Sequence, residues 1–256
     1  MTKTIIAVVN QKGGVGKTTT SINVAAELAD SKHSVLLVDL DPQGNASSGL
    51  GLPKAKLKKT TYDVLCNGAS LADTVMETHV AQLFVLPANA NLAGAEVELV
   101  SQSQREFVLS RALEPAAYDY VIIDCPPSLG LLTINGLTAA SSVLIPVQTE
   151  YYALEGLGQL LEVFQSVKQN LNSKLEILGV VVTMYDNRTS LSTQVHDELK
   201  KHFGDKVFAA VIPRNIRLAE APSHGKPIAE HDKWSKGARA YKALSKEFLN
   251  RVEGTK

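Results

Sequence analysis

Short apolar runs rich in β-branched residues recur along the chain, separated by stretches whose apolar positions return every three or four residues. The runs fall at about 4–10, 34–39, 82–86, 119–124, 142–147, 176–183 and 206–211, and they predict strands. They are continuously apolar rather than alternating, as in Tyr120-Val121-Ile122-Ile123 and Leu178-Gly179-Val180-Val181-Val182. A strand covered on both faces reads that way, as in a parallel sheet between helical layers. The intervening pattern predicts helices near 17–31, 102–114, 128–140, 154–170, 189–203 and 235–252. Strands alternating with helices imply right-handed βαβ units, so the expected fold is α/β, a doubly wound and mostly parallel β-sheet with helices on both faces. No internal repeat or linker interrupts the pattern, and residues 1–256 are expected to form one domain.

Sheets of this kind bind ligands at the carboxyl ends of their strands. The first strand runs into Asn10-Gln11-Lys12-Gly13-Gly14-Val15-Gly16-Lys17-Thr18-Thr19, after which a helix begins. Gly13, Gly14 and Gly16 let the backbone, with Val15, turn its N–H groups toward a phosphate, and the helix amino terminus favours the anion. Lys17 supplies a point charge and the Thr18 hydroxyl a ligand for Mg²⁺, as in the phosphate loop of P-loop NTPases. The pattern departs from G-x-x-x-x-G-K-[ST], whose first glycine would fall at Gln11, and Lys12 precedes the glycines instead. The dinucleotide fingerprint fails at Thr19.

Two further strands end in carboxylates. Val35-Leu36-Leu37-Val38 leads into Asp39-Leu40-Asp41-Pro42-Gln43-Gly44, and residues two apart on an extended chain share a face. Asp39 and Asp41 are therefore both candidates to face the phosphate, one orienting water and one serving the metal. Tyr120-Val121-Ile122-Ile123 ends in Asp124-Cys125-Pro126-Pro127, the Walker B arrangement of a magnesium aspartate.

Composition narrows the class. Apolar residues make up 45% and charged residues 20%, the balance of an ordinary globular protein. The amino terminus has no signal-peptide pattern, and no run approaches the ~20 apolar residues that span a bilayer. The two cysteines, Cys66 and Cys125, form no C-x-x-C pair and are expected to be buried free thiols. A cytoplasmic location is expected. Net charge is zero, yet residues 1–187 carry 12 basic against 18 acidic side chains and residues 188–256 carry 14 against 8. A basic last quarter on an acidic body points to a polyanionic partner.

Taken together, these segments resemble the ParA-type chromosome and plasmid partition ATPases of the deviant Walker A class, along nearly the whole chain. The resemblance rests on Lys12 to Thr19, on Asp39 to Asn45, on Asp124-Cys125-Pro126-Pro127, and on Pro213-Arg214-Asn215-Ile216-Arg217 leading into Glu220 to Pro227. It implies ATP hydrolysis with Mg²⁺ and an ATP-dependent homodimer in which Lys12 reaches the partner's phosphates. It assigns the attacking water to Asp41 and the adenine to Pro213 and Asn215, while the motifs themselves put the metal site at Thr18, Asp39 and Asp124. It implies sequence-blind binding of double-stranded DNA through Arg188 and Arg217, association with the nucleoid, and a centromere-binding ParB-type protein that stimulates hydrolysis. A membrane-cycling ATPase of the MinD type is the rival reading. Tyr241, Leu244, Phe248 and Val252 form one helical stripe, expected to dock on the body, and the chain stops soon after, so no membrane partner is expected. A reductase or biosynthetic ligase on the same fold is the second rival.

Overall fold

The computed structural model describes residues 3–150 and 153–254. Among them, the strands are β1 (Thr4–Val8), β2 (Val35–Asp39), β3 (Met76–Glu77), β4 (Leu83–Leu86), β5 (Tyr120–Asp124), β6 (Ser142–Gln148) and β7 (Glu176–Thr183). They form a seven-stranded sheet in the order β3-β4-β2-β5-β1-β6-β7. All pairs are parallel except β3 with β4. The doubly wound, mostly parallel sheet expected from the apolar runs is the one observed.

The helices are α1 (Lys17–Asp30), α2 (Asn45–Gly49), α3 (Thr61–Cys66), α4 (Leu71–Thr74), α5 (Ala95–Glu98), α6 (Val108–Leu113), α7 (Leu131–Ala139), α8 (Ala153–Asn170), α9 (Ser190–Phe203), α10 (Ile216–Glu220), α11 (Ile228–His231) and α12 (Lys236–Glu253). Side chains alternate between the two faces of each strand, which divides the core in two. Ala7, Val121 and Ile123 pack with residues of α3, α6, α7, α8 and α9, while Ile6, Ile122 and Tyr120 pack with α1, α2, α10, α11 and α12. The apolar stripe of α12 is docked as expected, with Tyr241, Leu244 and Phe248 buried and Val252 against the same cluster. Its Tyr241 hydroxyl also meets Thr20 of α1 at 3.1 Å.

Three expectations need correction. The run 206–211 is not a strand: residues 204–206 form a single 3-10 turn, and only Val207 bridges, to Val180. Ala209 and Ala210 instead donate their N–H groups to the Glu247 carboxylate of α12 at 3.1 Å each, so a side chain takes the place of a neighbouring strand. The helix expected over 102–114 begins only at Val108, because residues 105–107 form a 3-10 turn entered through Gln104 at φ 53°. Both cysteines are free, but only Cys125 is buried; Cys66 is half-buried.

Chain reversal sets the site. β1 lies between β5 and β6; α1 leads from it to β2 beyond β5, whereas α7 leads from β5 to β6 on the other side of β1. The crevice at the carboxyl ends of β1, β2 and β5 is therefore the switch point where such sheets bind ligands.

Candidate nucleotide site

Residues between β1 and α1 form an open cradle. Gly14 and Gly16 have φ of 75° and 86°, a left-handed backbone that favours glycine. A Cβ added at Gly13 or Gly14 would meet nothing within 4 Å, so the loop faces free space. Its frame is fixed on three sides. Asn10 donates to Pro146 O at 2.7 Å and accepts from Lys12 N at 2.9 Å, and the Thr183 hydroxyl donates to Val15 O at 2.8 Å.

The two loop lysines point in different directions. The Lys17 ammonium turns into its own loop and donates to Lys12 O at 3.0 Å. It is buried, which pushes its pKa down, while the Asp124 and Asp41 carboxylates pull it back up. The Lys12 ammonium leaves the loop and pairs with Glu150 at 2.9 Å, where Gln148 also donates to Glu150 at 2.8 Å.

Strand register brings the carboxylates together. Asp39 of β2 and Asp124 of β5 are paired positions, and Val8 of β1 pairs with Asp124 on its other side. Both aspartates are fully buried. Burial, followed by the neighbouring Asp39 charge, raises the Asp124 carboxyl to about 7, and the Thr18 and Ser21 hydroxyls oppose the rise. Burial raises Asp39 to about 6 against hydrogen bonds from Ser47 and Asp41. Asp39 uses both oxygens: Oδ2 accepts Ser47 N at 2.8 Å and Ser47 Oγ at 2.6 Å, and Oδ1 accepts Asp41 N at 3.3 Å. Asp124 does not. Oδ1 accepts Ser21 Oγ at 2.8 Å, but Oδ2 is buried without a hydrogen-bond partner. Two adjoining carboxylates raised chiefly by burial, one of them with an unpartnered oxygen and with the Thr18 hydroxyl near its carboxyl, fit a divalent cation, whose charge favours their ionised forms. Asp41, also buried, opens a turn in which its Oδ1 accepts Gln43 N at 2.9 Å.

On the other side of Gly16 and Thr19 lies a cavity of about 420 Å³, walled by Thr183, Met184, Pro213, Arg214, Asn215 and Tyr241 among others. Pro213 and Asn215 thus share this cavity with Gly16 and Thr19 of the phosphate loop; Asn215 also caps α10, accepting Arg217 N at 2.9 Å. Arg188 and Arg217 stay outside the crevice on neighbouring segments, since Tyr185 bridges to Pro213. Sequence reasoning missed Ser21, Ser47, Asn10 and Glu150. Ser21 lies one helical turn beyond Lys17, and Glu150 follows a strand end, so both positions carried a signal.

The cradle, the paired carboxylates and their place at the switch point define a P-loop nucleotide-binding ATPase domain. A family model described as an AAA domain matches residues 3–177. The chain is 59% identical over 245 residues to the sporulation initiation inhibitor protein Soj of Bacillus subtilis (strain 168), covering 95% of this chain and 97% of that protein. It is 53% identical over 249 residues to the chromosome partitioning protein ParA of Myxococcus xanthus, covering 96% and 88%. Among solved structures, cobyrinic acid a,c-diamide synthase from Mycobacterium smegmatis with bound ADP and magnesium superposes with a TM-score of 0.87 at 39% identity, covering 99% of this chain and 97% of that one. The chain belongs to the Soj/ParA family of chromosome-partitioning ATPases.

Proposed function

We propose that this chain, acting as one ATPase domain, is a nucleotide-switched DNA tether that partitions a chromosome or plasmid. It binds ATP with Mg²⁺, forms a face-to-face dimer, holds nucleoid DNA without sequence preference, and is released when a ParB-type protein stimulates hydrolysis. The observation that carries this reading is the divergence of the two lysines. Lys17 serves its own loop, while Lys12 lies outside it on an exposed glutamate, free to exchange Glu150 for the phosphates of a second subunit.

In this reading the Gly13 to Thr19 backbone binds the phosphates, Pro213 and Asn215 flank the adenine, and Thr18 and Asp124 hold the magnesium, with the Asp39 charge behind them. Magnesium, once bound, neutralises charge developing on the phosphates. Asp41 orients the attacking water, which its place near Lys17 and Asp124 supports. The basic segments bearing Arg188 and Arg217 contact DNA phosphates.

The membrane-cycling alternative is less favoured, because the apolar stripe of α12 is spent on the core. No described helix is long and apolar enough to cross a membrane. A biosynthetic role like that in the Mycobacterium smegmatis protein's name is less favoured by the higher identity to partition proteins. The test is ATPase activity measured alone, with DNA, and with DNA plus a ParB-type partner. Stimulation that requires both additions is expected; a rate indifferent to them would overturn the proposal.

A further inference from the structure

Both arginines assigned to DNA are engaged by carboxylates of their own chain. Arg188 meets Asp186 as a fork, Nε to Oδ1 at 2.9 Å and Nη2 to Oδ2 at 2.7 Å, and its backbone N–H also donates to Oδ1 at 3.0 Å. Arg217 donates to Glu220 at 2.8 Å and lies 3.6 Å from Asp232. A forked guanidinium–carboxylate pair has the same geometry as a guanidinium–phosphate pair. A DNA phosphate must therefore displace a matched competitor.

Asp186 is also tied to the nucleotide cavity. Tyr185 N donates to Ile212 O at 3.0 Å and Arg214 N to Tyr185 O at 3.2 Å, which fastens the Asp186 segment to the cavity wall. Met184 lines that wall with φ of 52°, a backbone that side chains other than glycine, asparagine or aspartate seldom adopt. Arg214 lines it too. The Arg188 contacts, with the Arg214 charge behind them, hold the Asp186 carboxyl well below the usual range. One carboxylate thus forks an arginine that is 85% exposed while its segment is fastened to the cavity wall by backbone hydrogen bonds.

We propose that Asp186 is a nucleotide-sensitive counter-ion: without nucleotide it occupies Arg188 in place of a DNA phosphate, and filling the cavity bounded by Met184 and Arg214 loosens that hold. The proposal rests on the DNA-binding reading above. It adds a second source of ATP dependence to dimerisation, located inside each subunit.

The test is anisotropy of a labelled random duplex across a KCl series, without nucleotide, with ADP and with a non-hydrolysable ATP analogue. Asp186→Asn keeps an acceptor for the Arg188 N–H but removes the charge. It is expected to tighten nucleotide-free binding roughly fivefold, the scale of one exposed charge contact. It should steepen the salt slope by about 0.9 for each arginine released. Affinity with the ATP analogue should barely change, so the ratio between the two states narrows. Asp197→Asn on α9 removes another exposed carboxylate, one that does not pair with Arg188, and should leave that ratio intact. An equal effect from Asp197→Asn, or an unaltered ratio in Asp186→Asn, overturns the proposal. Should Asp186→Asn fail to fold, Arg188→Lys keeps the cation but cannot form the fork, and its nucleotide-free affinity should equal or exceed that of the parent. A loss in both states would mean that Asp186 does not mask the arginine. A parent protein with no duplex affinity in any state removes the DNA-binding reading and this inference with it, whereas ATP-dependent parent binding with an unchanged Asp186→Asn removes this inference alone.

Discussion

At the ends of β1, β2 and β5, Lys17, Asp39 and Asp124 are buried, and the Asp124 carboxylate keeps an oxygen without a partner. On the rim made by residues 184–189 and 213–217, Arg188 and Arg217 face solvent, and each already has a carboxylate in reach. The contrast runs against the usual expectation that buried charges are paired and surface charges are free. Its lesson is about waiting ligands. A fixed crevice can hold charges in an unfavourable state, because the surrounding sheet prevents relaxation and the ligand repairs the imbalance. A mobile surface arginine relaxes onto the nearest carboxylate, so its ligand must compete.

Breaking the buried side of the contrast should have the larger consequences. Lys17→Ala is expected to abolish ATP binding; a fluorescent ATP analogue that still bound at parental affinity would dismantle the loop assignment. Asp41→Ala should slow hydrolysis by about 2 to 4 decades, the range of a positioned proton-transfer group, and leave ATP binding intact, which accumulates the ATP-bound dimer. Unchanged phosphate release would reduce Asp41 to a turn residue. Lys12→Ala should bind nucleotide as a monomer and fail to dimerise with ATP, read by light scattering after size exclusion. Dimers at normal yield would contradict a lysine acting across subunits. Arg188→Glu and Arg217→Glu test the rim. Each should abolish duplex binding at physiological salt with ATP affinity preserved, because the net charge of zero leaves only a local patch to attract DNA. Binding with a flat salt response would remove DNA from the function.

What the sequence disclosed follows the same division. The buried strands were legible because a strand covered on both faces must be continuously apolar, and Asp39 and Asp124 stood out as charges ending such runs. The 206–211 run carried the same apolar signal but no strand, because Glu247 of α12, distant in sequence, takes the N–H groups of Ala209 and Ala210. The short helices α2 to α5 and α10 to α11 escaped notice, since four to six residues show too little of a 3.6-residue period. Ser47 and Asn10 were illegible for a related reason. Ser47 joins Asp39 to the Ala88 N–H and Asn10 joins Lys12 N to Pro146 O, partners that only the fold brings together, and a lone serine or asparagine in a loop or short helix looks like any turn residue.

The smallest expected effect sharpens the buried side without touching the ligand. The Ser47 hydroxyl donates to Asp39 at 2.6 Å and accepts Ala88 N at 2.9 Å, all three residues being fully buried. Ser47→Ala removes the hydroxyl donor to Asp39 Oδ2, which keeps only the backbone N–H of residue 47, and leaves the Ala88 N–H without its acceptor, a loss of about 1 to 3 kcal/mol of folding stability. The loss should depend on pH, and the sign follows from Asp39. Its folded pKa, about 6, lies above the ordinary aspartate value of ~3.9, so the folded state holds its proton longer than the unfolded chain does. Stability therefore falls as pH rises between those two values. The Ser47 hydroxyl and backbone N–H both oppose the rise in pKa, so removing the hydroxyl extends the fall to higher pH. The penalty of Ser47→Ala should be larger at pH 8 than at pH 5, where a protonated Asp39 needs fewer donors. Urea denaturation at the two pH values in magnesium-free buffer measures it. A penalty equal at both would mean that Ser47 supports Ala88 alone and leaves the charge of Asp39 to the rest of the crevice.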